Sequence, residues 1–227
     1  MRHATSLRRL FRVRSVALTV ALLGAVFAAA GCQSVYYEAM EMVGSEKRDL
    51  LRSELVGMVS DQEDAEEAFA DALTRIKGLT GFDGGDLEDE YDRLKDAYED
   101  AESAVGEIDG RTDEIETVAA DLFAEWEQEI GEMQSANLKG KSRKKLRETR
   151  ARYDRMHATL IETRGSMDPV LAVLKDHVLF LKHNLNAAAI GSLGTEMASI
   201  ESEIEDLKRS IQQSISEAQR FLEAMPR

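Results

Sequence analysis

From Leu87 onward the apolar and small residues fall at Leu87, Tyr91, Leu94, Tyr98, Ala101, Val105, Ile108, Thr112, Ile115, Ala119, Leu122 and Trp126, an unbroken alternation of steps of four and three. Glu129 interrupts the register, Ile130 fills the gap beside it, and Met133 resumes it. A residue pattern of this period puts one continuous edge of a helix against its neighbours and suits no strand. The edge recurs in the last segment from Ile190 through Leu193, Met197, Ile200, Ile204, Leu207 and Ile211 to Met225. It recurs again from Leu146 through Tyr153, Met156, Leu160, Met167, Val170, Leu174 and His177 to Leu181. A looser version from about Val35 to Leu79 carries Leu55, Met58, Val59, Ala65, Phe69, Leu73 and Ile76 on one side. Two prolines and 6% aromatic residues leave little from which to build a sheet.

Turn chemistry separates the four segments. Gly81, Gly84 and Gly85 with Asp83 and Asp86 stop the first, and Asp86 can cap the second by accepting its free amide hydrogens. Asn137 and Gly140 divide the second from the third, and Asn184 and Asn186 the third from the fourth. Asp168-Pro169 reads as a cap followed by a first-turn proline, which predicts a kink or restart there. The predicted helices are 35–79, 86–136, 141–184 with a kink near 168, and 187–225. The fold class is therefore all-α, an elongated antiparallel four-helix bundle or coiled coil, each helix roughly 60 to 75 Å long at about 1.5 Å per residue. A single long coiled coil that dimerises is the rival arrangement, and a homo-oligomer stays open. Helix-ending Gly and Asn residues favour the folded-back bundle.

Ahead of the first helix stands a different kind of segment. Arg2, Arg8, Arg9, Arg12 and Arg14 are followed by an apolar run from Val16 to Ala30, then Gly31 and Cys32, the only cysteine of the chain. This is the order of a secretory signal, positive, then apolar, then small. The run falls short of the roughly 20 apolar residues of a spanning helix. Residues 1–31 are read as a cleaved signal peptide and Cys32 as the acylated first residue of a domain covering 32–227. General secretion fits better than twin-arginine export, because the residues around Arg8-Arg9 depart from that motif. Gln33, in place of an aspartate, points to the outer membrane of a Gram-negative cell, with the bundle facing the periplasm.

Charge narrows the function classes. The chain is formally −14, and without residues 1–31, which hold five arginines and no acid, it is −19. Nucleic-acid phosphates would be repelled. With its only thiol acylated, the mature chain has no disulfide or thiol redox chemistry.

Catalytic and metal patterns are missing from the sequence. Gly140-Lys141-Ser142 matches the end of a phosphate-binding loop, but Ser135 stands where the first glycine is needed and no strand precedes it. Asp154-x-x-His157 is one copy of a motif that a di-iron bundle needs twice, and His177 and His183 lie on different sides of a helix. The acids around Gly84 miss the calcium-loop spacing. No cofactor, no metal and no enzymatic activity is expected.

Two surfaces remain. Lys139, Lys141, Arg143, Lys144 and Lys145 open a basic run in an acidic protein, at the end of the bundle that also holds Cys32 and the C-terminus. They suit either anionic headgroups or pairing with Asp121, Glu125, Glu127, Glu129 and Glu132 across the hairpin, and hairpin pairing is the commoner use of such a run. At the far tip, Phe82, Asp83, Gly84 and Gly85 approach Lys182, His183, Asn184 and Asn186, a candidate docking surface for an envelope protein. A plain helix-capping joint accounts for the same residues.

Four stretches carry a family resemblance: 32–51 (CQSVYYEAMEMVGSEKRDLL), 83–94 (DGGDLEDEYDRL), 122–130 (LFAEWEQEI) and 168–187 (DPVLAVLKDHVLFLKHNLNA). With them the chain resembles a family of proteobacterial lipoproteins known as domain of unknown function 2959. The resemblance implies an envelope lipoprotein rich in coiled coil and transfers no catalytic residue, cofactor or activity. The function expected is that of a membrane-anchored, non-enzymatic structural or interaction protein. A carrier that opens a methionine-lined seam for lipid or peptide is the alternative.

Overall fold

The computed structural model describes residues 47–81 and 87–225. They form four α-helices and no strand: α1 (Lys47–Thr80), α2 (Leu87–Glu132), α3 (Ala136–His183) and α4 (Ala187–Ala224). The chain divides into two compact units, Met1–Asp49 and Leu50–Arg227, and the first lies almost wholly outside the described residues. The second unit is a helical bundle.

The three-four periodicity becomes the core. Leu94, Ala101, Val105, Ile108, Ile115 and Ala119 of α2 are buried against Leu160, Met167, Val170 and Leu174 of α3 and the isoleucine edge of α4. Polar contacts fix the order of the helices. Arg164 Nε and Nη2 grip Asp109 at 2.6 and 2.8 Å, His157 meets Glu116 at 2.7 Å, and Arg150 meets Glu127 at 2.9 Å. Sequence numbers fall on α3 as they rise on α2, so the pair is antiparallel. Thr163 to Ser210 and Tyr153 to Phe221 establish the same for α3 and α4. Arg52 donating to the carbonyls of Leu222 and Met225, Gln62 to Ser214, and Lys77 to Glu201 close the ring between α1 and α4.

Two local expectations change. The second turn lies at 133–135, not at Asn137–Gly140. Ser135 is its N-cap, with φ −74° and ψ 111°, and its hydroxyl accepts the amide of Leu138 at 3.4 Å. A serine cap satisfies a free amide at the helix start, so the helix begins before Gly140 and absorbs it. The Asp168-Pro169 restart is absent, since α3 runs unbroken from 136 to 183. Pro169 deprives only the carbonyl of Gly165 of a partner, and Gly165 is exposed, where water replaces the bond. Met167 and Val170 stay buried on either side, and Asp168 pairs with Arg164 at 2.6 Å instead of capping. The expected helical stretch 35–46 lies outside the described residues.

Each helix contributes a buried uncharged polar residue within about a turn of one level: Gln62, Thr112, Thr163 and Ser214. Thr112 donates to its own helix at Ile108 O (2.7 Å) and Thr163 bonds Ser210 (2.9 Å). Gln62 Nε2 donates to Ser214 at 2.8 Å, while Gln62 Oε1 is buried with no partner. An unpaired buried acceptor keeps its desolvation cost of about 1–3 kcal/mol. The pair Gln62→Leu with Ser214→Ala is therefore expected to raise stability by about 1–2 kcal/mol, a gain of some 2–6 °C in Tm readable by thermal circular dichroism. A lower Tm would mean that the layer stabilises as well as fixes register.

Candidate functional site

The two ends of the bundle carry those sequence-predicted site residues that the structure describes. At one end lie the start of α1, the α2–α3 turn and the C-terminus of α4, held by Arg52 at 3.2 Å from the Met225 carbonyl. At the other lie the end of α1 and the α3–α4 joint.

The α3–α4 joint is a capping structure built by asparagine. Asn184 is the C-cap of α3 at φ −134°, ψ 43°; its amide donates to Leu181 O at 3.1 Å and its side-chain Nδ2 to Phe180 O at 2.9 Å. Asn186 N donates to Asn184 O at 2.8 Å, and Asn186 O accepts from Ile190 N at 3.2 Å to start α4. These bonds satisfy carbonyls that a helix end leaves free. Lys182 and His183 are exposed beside them. Leu179 and Phe180 are 49% and 43% exposed, an apolar step that the turn does not need. Phe82, Asp83, Gly84 and Gly85 lie outside the described residues, as does Cys32, so their approach to this joint is not part of the geometry.

One turn below, His177 is buried on the α3 seam with Nε2 3.6 Å from Glu196. Burial lowers its pKa, against the opposing pull of Glu196, Asp176 and Glu203. A histidine lowered in the folded state costs nothing above its ordinary value of 6.5 and destabilises once pH falls below it, because the buried ring must then charge. Thermal melts from pH 7.5 to 5 are expected to lose up to about 1.4 kcal/mol per pH unit from this group, and His177→Gln to flatten that slope. A slope unchanged in the variant would assign the loss elsewhere.

At the opposite end the basic segment forms the first three turns of α3. Lys139 Nζ donates to Gly131 O at 2.9 Å, tying off α2, and Ser142 accepts from Trp126 Nε1 at 2.9 Å. Part of the expected pairing across the hairpin is made. Arg150 finds Glu127, and Lys144 reaches Glu148 at 3.8 Å on its own helix. Lys141, Arg143, Lys145 and Arg147 are exposed and make no ion pair among the described residues. Helix phase explains this: Ser142, Leu146, Thr149 and Tyr153 take the face toward α2, which turns the intervening cations outward. Leu138, in the first turn, is 58% exposed.

Sequence reasoning missed a third polar feature. Arg111 of α2 reaches α1, meeting Glu54 at 2.9 Å and gripping Asp61 through Nε. Its guanidinium lies over Gly57, where a Cβ would stand 2.4 Å from Nη1. Gly57, a glycine inside an otherwise periodic helical stretch, was the available hint. Glu54 is held above the usual carboxylate range by burial and by Glu114, and Arg111 only partly offsets this. The Tyr98 hydroxyl, buried and donating to Glu102 at 2.6 Å, is pushed up to about 12.

Among the described residues no group of three His, Cys, Asp or Glu side chains is placed to hold a metal ion, and no helix is long and apolar enough to cross a membrane. A cavity of about 30 Å³ between α1 and α4, floored by Phe69, Leu73, Ile204 and Ile211, has room for one water.

No curated protein and no solved structure matches the chain. The family described as "Protein of unknown function (DUF2959)" matches residues 36–225, a span that takes in all four helices and both bundle ends. The chain belongs to that family.

Proposed function

We propose that this protein is a lipoprotein, held by acylated Cys32 in the outer membrane of a Gram-negative cell, whose periplasm-facing bundle has a structural or protein-interaction role and no catalytic one. The observation that carries the reading is the setting of Cys32: the only thiol of the chain, preceded by Ala28-Ala29-Ala30-Gly31 and an arginine-led apolar run. The family match begins at residue 36, four residues after that cysteine, so the matched domain starts where the mature chain would. The bundle supports the role assigned to it. Its interior is filled by side chains, its small α1–α4 cavity admits no more than a water, and its distinctive surfaces lie at the two ends. Such a body suits spacing and docking better than turnover.

Mass spectrometry of the protein from the envelope fraction tests this. The wild type is expected to begin at Cys32 with a diacylglyceryl thioether and an amide-linked acyl chain, and to float with outer membranes. Cys32→Ser is expected to accumulate as unprocessed precursor. A free Cys32 thiol on wild-type protein would overturn the reading.

A further inference from the structure

Fifteen consecutive residues, 133–147, hold six cations and no acid in a chain of net charge −14. In the folded bundle four of these cations, Lys141, Arg143, Lys145 and Arg147, are exposed and find no acidic partner among the described residues. The segment also projects. Tyr153 meets Phe221 at 6.1 Å, so the last turn of α4, ending at Ala224, lies level with Arg150. The fourteen residues of α3 from 136 to 149 continue past that end, about 20 Å of helix at about 1.5 Å per residue. At the front of this projection stands Leu138, and it shares a helix face with Lys141 and Lys145 by the spacing i, i+3, i+7. Leu138 is thus an exposed apolar side chain beside lysines without an ion pair among the described residues. It is suited to an interface that accepts both, with the leucine among acyl chains and the ammonium groups at phosphates.

We propose that the α2–α3 hairpin tip is a second membrane contact, in which Leu138 enters the surface of a bilayer and Lys141 and Lys145, flanked by Arg143 and Arg147, bind phosphate-bearing anionic lipids. The inference rests on the lipid-anchor reading for its geometry. Residues 33–46 separate Cys32 from α1, fourteen residues that reach at most about 50 Å. That exceeds the projection of the hairpin, and α1 begins at the same end of the bundle, so anchor and tip can meet one surface. The contact would fix the tilt of a body that one lipid group alone leaves free to pivot. It would also point the α3–α4 joint away from the membrane.

The chain has one tryptophan, Trp126, which allows a direct test. The full chain isolated from the envelope carries Leu138→Trp in a Trp126→Phe background and is reconstituted in vesicles of brominated phosphatidylglycerol or brominated phosphatidylcholine. Emission from position 138 is expected to shift blue and be quenched in the anionic vesicles, weakly in the zwitterionic ones, and to revert in high salt. Leu179→Trp at the other end is expected to stay unquenched in both. Lys141→Glu with Lys145→Glu should shift the ratio of engaged to free tip by at least about thirtyfold, about fivefold for each cation lost. Leu138→Ser, which leaves every charge in place, should weaken vesicle-dependent protection of the basic segment from trypsin. Inorganic phosphate alone should leave the emission unchanged. Water-exposed emission from 138 in anionic vesicles, or quenching at 179 instead, would overturn the proposal. The mass of residue Cys32 on the same preparation reports separately on the anchor, so a failed tip contact and a failed lipidation give different results. Chain retained in vesicles by an uncleaved apolar segment still reads the tip.

Discussion

Phe69→Ala is expected to cost about 4 kcal/mol of folding free energy and to lower Tm by about 10 °C, measured by reversible thermal or urea unfolding. Phe69 is 1% exposed on the inner edge of α1 and borders the small cavity with Leu73, Ile204, Leu207 and Ile211. Removing the ring takes away its transfer free energy and enlarges a void that already exists. Rods of this length cannot collapse around such a hole, because each is pinned along its edge by neighbours above and below. The loss should fall mainly on α1, so hydrogen exchange in the variant should rise first between Leu51 and Leu79 and less in α2 and α3. A cost under about 1 kcal/mol would show that α1 contributes little to the core.

Arg111→Ala is expected to cost about 2–3 kcal/mol, toward the low end of the range for breaking a buried ion pair because the arginine is 30% exposed. What makes it expensive is what stays behind. Asp61, with 10% side-chain exposure, and Glu54, with 17%, lose the guanidinium that bridges them across the α1–α2 interface. The pH dependence gives a second readout. Glu54 already sits above the ordinary carboxylate range through burial and Glu114, and without Arg111 it rises further. A carboxyl group raised in the folded state destabilises fully above its folded pKa and is relieved as pH falls through that value toward 4.5. The variant should therefore be penalised more at pH 7.5 than at pH 5. Asp61→Asn added to Arg111→Ala should recover part of the loss, since an uncharged amide is cheaper to bury unpaired. An additive double mutant would show the pair to be uncoupled.

The residues determined much of this bundle before any folding was considered. Four helices, their inward edges and the all-α class are local properties, written in steps of three and four from Leu87 to Trp126 and from Ile190 to Met225, and the described helices carry them. The asparagines at 184 and 186 marked a joint because such side chains compete for backbone groups, and Asn184 caps α3 as its chemistry requires. What the period cannot encode is which residue ends up beside which across helices. It placed the second turn five residues late because glycine and asparagine read as breakers, whereas the Ser135 cap and packing on α2 carry Gly140 inside α3. It allowed a kink or restart at Pro169 because the sequence does not reveal that Gly165 faces solvent, with Met167 and Val170 holding an uninterrupted α3 to its neighbours.

Charge behaved in the same way. The basic run was legible as a composition shift, but its pairing was not, since that depends on helix phase: with Leu146 and Tyr153 buried toward α2, Lys141 and Lys145 face outward and Leu138 stands exposed in the first turn. Gln62 and Arg111 were invisible for the same reason. Their meaning lies in Ser214, Asp61 and Glu54, contributed by other helices and brought within hydrogen-bond reach only by the tertiary register. Sequence alone determined where apolar surface must go, because burial is non-directional and follows the local period. Tertiary structure decided every polar contact, because hydrogen bonds and ion pairs are directional and short, and a shift of one residue makes or abolishes them.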